Sequence, residues 1–237
     1  EHVQHVMTPF FQKLGMKTIW SEPVPKHRQK PAERPKEGPA MRGKAGGTSL
    51  HSKWPIRPGI GVIKNQEFAR DRIVHAIIKL GAIHAQIVGI YGVTSSAKGH
   101  KEMNQKIFNE AIRVTEAIAL PTILIGDFNV DVITNVHFQP LLQKGFLPLQ
   151  SLYQKLYGVS MPKTCKGATV PDTAILHPIL ASRVTKIEVI KDNLFDSHQP
   201  VIFDLKIPWT QLTTPKLRLP ETWVKLPIDA DDLNRSE

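Results

Sequence analysis

Pro121-Thr122-Ile123-Leu124-Ile125-Gly126-Asp127-Phe128-Asn129-Val130-Asp131 is a short apolar run that stops in Gly-Asp-Phe-Asn. Thr122 to Ile125 is β-branched and aliphatic. It is too short for a helix and suits a strand buried on both faces inside a layered α/β protein. Side chains alternate along an extended chain, so Asp127 and Asn129 are expected on the same side where the strand ends. A carboxylate beside a carboxamide suits metal and water chemistry. Gly, Asp and Asn are also ordinary turn residues, so the run alone leaves a plain turn open.

In front of this run, Met103, Ile107, Phe108, Ala111, Val114 and Ile118 share one face between residues 100 and 120, the clearest helix in the chain. Helix, a short loop at Pro121 and strand make an αβ unit whose functional end is the carboxyl end of the strand. Earlier, residues 72–80 and 83–91 read as two strands of a hairpin around Gly81-Ala82, with Tyr91 at the end of the second. Val3, Val6, Met7, Phe10, Phe11 and Leu14 give residues 1–20 a helical apolar face, with Gly15 as its stop. After the central run, residues 137–157 suit small helices covering the sheet. Residues 184–190 read as a further strand, and residues 201–205 as a strand that closes the sheet.

A second element, Asp196-Ser197-His198-Gln199-Pro200-Val201, leads into that last strand. Together with Gly-Asp-Phe-Asn it resembles the endonuclease/exonuclease/phosphatase superfamily, the DNase I-like fold that includes apurinic endonucleases and the endonuclease domains of non-LTR retrotransposons. Gly46-Gly47 before a strand, and Val170-Pro171-Asp172 opening another, are similar to stretches of that family. The resemblance implies an α/β four-layer sandwich of two packed mixed β-sheets flanked by helices. It also implies a metal-dependent endonuclease using Mg²⁺ or Mn²⁺. In that family Glu1 would bind the metal and Asp127 would bind it, or orient or deprotonate the attacking water. Asn129 would hold water or phosphate in line, and Tyr91 would contact phosphate or sugar. Asp172 would support the site, and His198 would bond the phosphoryl oxygen or act as acid. The family order is Ser-Asp-His, whereas this chain has Asp196-Ser197-His198. That turns the carboxylate to the opposite face unless a bulge restores it or Ser197 orients the imidazole instead.

The 237 residues are expected to form one domain over 1–207, with a basic Pro-rich loop at 23–45 and a linker or tail at 208–237. The chain starts with Glu, as a fragment would, and a reverse transcriptase domain would follow in a retrotransposon protein. Cys165 is the only cysteine, which excludes an internal disulfide and a cysteine-based zinc site and fits an intracellular setting. No apolar run approaches the roughly 18 residues of a membrane span. Lys and Arg number 31 against 21 Asp and Glu, a formal charge of +10 that favours a polyanionic partner, DNA first, with action in the nucleus. Two other readings stay open: a catalytically impaired nucleic-acid-binding remnant of the same fold, and a phosphatase of the same superfamily.

Overall fold

The computed structural model describes residues 2–21, 24–25, 44–45, 48–59, 71–165, 169–191 and 198–207. The apolar spacing near the start gives helix α1 (His2–Lys13), which ends before Gly15 at φ 70°. Past that stop the chain turns into strand β1 (Lys17–Trp20), an element that the sequence reading does not name. Thr18, Ile19 and Trp20 favour extended backbone, and pairing decides their state. Two-residue strands β2 (Val24–Pro25) and β3 (Lys44–Ala45) pair antiparallel at the two ends of the basic loop. The rest of that loop, Gly46-Gly47 and residues 208–237 lie outside the described residues. Strand β4 (Ser49–Ser52) pairs antiparallel with β1, and β5 (Ile56–Pro58) follows.

The expected hairpin forms as β6 (Ile73–Leu80) and β7 (Ile83–Tyr91). Helix α2 (His100–Glu116) leads to β8 (Thr122–Asp127), which lies parallel to β7. Then come α3 (Gln139–Gln143), β9 (Leu147–Pro148), α4 (Leu149–Tyr157), β10 (Asp172–Leu176), α5 (Pro178–Ala181), β11 (Val184–Val189) and β12 (Val201–Leu205). One mixed six-stranded sheet has the order β5-β6-β7-β8-β10-β9, with β8 between a parallel and an antiparallel neighbour.

The two faces of this sheet define the layers. Val88, Ile90, Leu124 and Ile175 pack against Ile107, Phe108, Ala111 and Val114 of α2 and Leu141 of α3. Ile78, Ala85, Ile87, Ile123, Ile125, Ala174 and Leu176 face the other way, towards Leu152 of α4 and Val184, Ile187, Val201 and Phe203 of β11 and β12. A Cβ added at Gly89 of β7 would meet Leu50 of β4 on that same face, so β1–β4 also belongs to the second β-layer. Helix α1 covers the outside of it, with Phe11 stacked on His51 at 3.7 Å between ring centroids. The resulting order is helices, sheet, β-layer, helix, the four layers expected from the resemblance.

The outer β-layer corrects one expectation. Residues 201–205 do not close the six-stranded sheet; β12 pairs with β11 in the second layer. Its side chains alternate, with Val201, Phe203 and Leu205 turned inward and Ile202 and Asp204 exposed. That pattern fits a strand covered on one face only. Among the described residues this layer consists of two separate pairs, β1–β4 and β11–β12.

Candidate active site

Sheet register brings the site together. Asp127 is the Cα partner of Tyr91 on one side and of Asp172 on the other. Side chains alternate, so Tyr91, Asp127 and Asp172 share the face of Ile87, Ile125 and Ala174, which looks into the second β-layer. They form a row along the rim where β7 and β8 end and β10 begins. Each residue of the Gly-Asp-Phe-Asn motif has a separate task. Gly126 has φ 150°, and a Cβ there would lie 1.9 Å from the carbonyl oxygen of Ile90. Phe128 is fully buried and sits edge-on against Phe138 at 5.4 Å, anchoring the rim in the core beneath α2 and α3. Asn129 then makes the turn at φ 53°.

The ligand atoms of Asp127, Asp172 and His198 lie within 4.8 Å of one another. Nδ1 of His198 lies 2.8 Å from Oδ2 of Asp172. A carboxylate can only accept, so Nδ1 carries the proton and Nε2 is left for other work. His198 is held in place by an antiparallel bridge to Cys165 and by the Gln199 N–H donating to the Thr164 carbonyl at 2.7 Å. Oδ1 of Asp127 accepts the Asn129 N–H at 3.1 Å. Burial and then the Asp172 charge raise the Asp127 pKa, while His198 and the hydrogen bonds from Asn129 pull it partway back. The three side chains line a cavity of about 310 Å³ with Gln199 and Phe203. A second cavity of about 370 Å³ reaches Asp127 from the side of Tyr91 and β4.

The donor set fits a hard cation. Two carboxylates face one another across a half-buried site, and an added positive charge would relieve the repulsion that lifts Asp127. Gln199 lines the same cavity, and its Oε1 is buried without a partner among the described residues, an oxygen of the kind that Mg²⁺ or Mn²⁺ or its water takes.

Strand alternation does not explain where Asn129 sits. The strand stops at Asp127, and the left-handed turn at Asn129 sends its Nδ2 to the Gly92 carbonyl at 3.1 Å. Beside its contacts to Asp127, Asn129 lines a cleft of about 580 Å³. Glu1, Asp196 and Ser197 lie outside the described residues. His198 pairs with Asp172, 26 residues earlier, a partner that the sequence reading does not name for it. That reading also passed over Thr164, fully buried, whose Oγ1 accepts the Asp172 N–H at 3.2 Å. Arg72 was passed over as well; its guanidinium lies 4.9 Å over the Tyr91 ring. Neither residue carries a motif signal, since each acts through a partner distant in sequence.

No protein-family model matches the sequence, and no curated protein matches it. Solved structures do match in fold. A 3′-5′ exonuclease (NExo) from Neisseria meningitidis is 15% identical with a TM-score of 0.58, over 83% of this chain and 82% of that one. An AP endonuclease from Archaeoglobus fulgidus is 14% identical with a TM-score of 0.55, over 83% and 82%. The endonuclease domain of TRAS1, a telomere-specific non-LTR retrotransposon, is 11% identical with a TM-score of 0.52, over 81% and 78%. At these identities the likeness speaks to architecture, and the chain has the DNase I-like fold.

Proposed function

We propose that this chain is a metal-dependent phosphodiester hydrolase that nicks DNA, the endonuclease module of a retrotransposon-like protein. The observation that carries the reading is the raised carboxylate of Asp127 facing the Asp172–His198 pair across one rim cavity. The formal charge of +10 favours a polyanion over a small neutral substrate. The retrotransposon setting is supported by the fold likeness to the TRAS1 domain.

In this reading Asp127 accepts a proton from the attacking water through Oδ2, since Oδ1 is occupied by Asn129. Its raised pKa makes it a stronger base than an ordinary carboxylate. Water oxygen bonds to phosphorus, the P–O3′ bond breaks, and the departing O3′ takes a proton from a solvent water, while Asp127 returns the proton it accepted to solvent. As an imidazolium, with Nδ1–H held by Asp172, His198 donates Nε2–H to a phosphoryl oxygen. Tyr91 contacts phosphate or sugar, and Asn129 keeps Asp127 in line. Mg²⁺ or Mn²⁺, if bound, would be held by Glu1 and Asp127, with Asp172 beside them, and would supply charge neutralisation on the phosphoryl oxygens. Asp196 and Ser197 would support the histidine. The product 3′-hydroxyl is the primer that a linked reverse transcriptase would extend, and such action belongs in the nucleus.

Plasmid nicking tests this directly. The wild-type chain should convert supercoiled DNA to open circles only with Mg²⁺ or Mn²⁺ present. Asp127→Ala should lower the rate by about 100-fold or more while salt-sensitive DNA binding persists. Binding by both proteins with cutting by neither would favour a silent DNA-binding remnant. Turnover of inositol phosphates without nicking would favour a phosphatase.

A further inference from the structure

The rim row extends one strand further than the residues discussed so far. Arg72 immediately precedes β6 and faces Tyr91, whose N–H donates to the Arg72 carbonyl at 2.8 Å. It has the same parity as Ile78, so it lies on the face occupied by Tyr91, Asp127 and Asp172. From β6 to β10 the row reads Arg72, Tyr91, Asp127, Asp172: cation, phenol, carboxylate, carboxylate.

The guanidinium is fixed. Nη1 donates to the Tyr91 carbonyl at 3.3 Å and to the Gly92 carbonyl at 3.2 Å, and the group lies 4.9 Å from the Tyr91 ring centroid. Arginine has five N–H donors, and among the described residues those on Nη2 and Nε make no hydrogen bond. Two strand spacings, about 10 Å, separate the Arg72 backbone from that of Asp127. A phosphodiester approaching Asp127 and Asp172 meets two negative charges, and Arg72 is the cationic end of the same row. A planar, pre-oriented fork with free donors is the group that best grips phosphate oxygens.

We propose that Arg72 binds the phosphate flanking the scissile one and thereby sets the register of a nucleic-acid strand on the rim. This rests on the phosphodiesterase reading above, and it names a substrate class: a chain of at least two phosphates rather than an isolated phosphodiester.

The test compares the full chain with Arg72→Ala and Arg72→Lys on two substrates, a short DNA duplex and bis(p-nitrophenyl) phosphate, with a melting curve for each protein. Arg72→Ala should lose about tenfold more kcat/KM on DNA than on the single phosphodiester. The slope of log affinity against log salt on DNA should fall by about 0.9, one phosphate contact. Arg72→Lys keeps the charge and therefore the slope, but loses about threefold on DNA because an ammonium cannot replace the fork. It carries the test if Arg72→Ala melts low. Equal losses on both substrates with an unchanged salt slope would show that Arg72 only braces Tyr91, and the proposal falls while the hydrolase stands. A wild-type chain that neither binds nor cuts DNA removes the hydrolase reading, and this one with it.

Discussion

Asp127 is held where its charge is costly, and that cost is measurable. A carboxylic acid whose pKa is raised by folding keeps its proton more readily in the folded chain. Its ionised form therefore costs stability above the folded pKa, and the cost disappears as pH falls through that value. Asp127→Asn removes the charge at neutral pH with little change of shape, so the melting temperature should rise by about 2 °C while nicking is lost. Calorimetry at pH 7.5 and pH 4 checks this, with the gain expected at the higher pH only; a lower melting temperature at pH 7.5 would mean the carboxylate stabilises the fold. The residue types at this site are legible in the sequence as two carboxylates and an imidazole at three strand ends. Their meeting within 4.8 Å is not, because His198 and Asp172 are joined only by the packing of one layer on the other.

At the scale of elements, β8 and its exit do most of the positioning. Phe128 packs against Phe108 and Phe138 beneath α2 and α3, and Val130 and Val132 follow it into the same side of the core. Phe128→Ala should destabilise the chain by about 3–5 kcal/mol, read by urea denaturation. Phe128→Leu should recover most of that, and a cost below about 1 kcal/mol for the alanine variant would show that the turn is held elsewhere. Helix α2 is legible from its long hydrophobic period, and the hairpin β6–β7 and strand β8 from apolar, β-branched runs bounded by turn residues. Strand β1 is not, since four residues are too short a run to show a period. Asn129 shows the converse limit: the period of a strand predicts side-chain direction only while the strand lasts, and it ends at Asp127.

Over the whole molecule, stability should depend on pH through a histidine far from the site. His75 is buried in the sheet, paired to Gln86 at 3.0 Å, while its Nδ1 has no partner among the described residues. Burial lowers its pKa below the ordinary 6.5, and the Gln86 bond opposes this only in part. Below about pH 6.5 the unfolded chain takes up a proton that the folded chain refuses. Stability is then full above that pH and falls as pH drops towards the folded value. Urea unfolding between pH 7.5 and 5.5 should show this slope, flatter in His75→Gln; an unchanged slope in the variant would assign the effect to other groups, His51 and His177 first. At this scale the sequence by itself determined the layered α/β class, the order of most elements, the basic excess and the chemical types gathered at strand ends. Those follow from composition and from periods repeated within a few residues. Only the tertiary structure decided that β12 joins β11 rather than the main sheet, that Asp172 orients His198, and that Arg72 completes the rim row. Register and layer packing are fixed by hydrogen bonds and apolar contacts between residues tens of positions apart, and no local pattern encodes which of two extended segments will lie beside which.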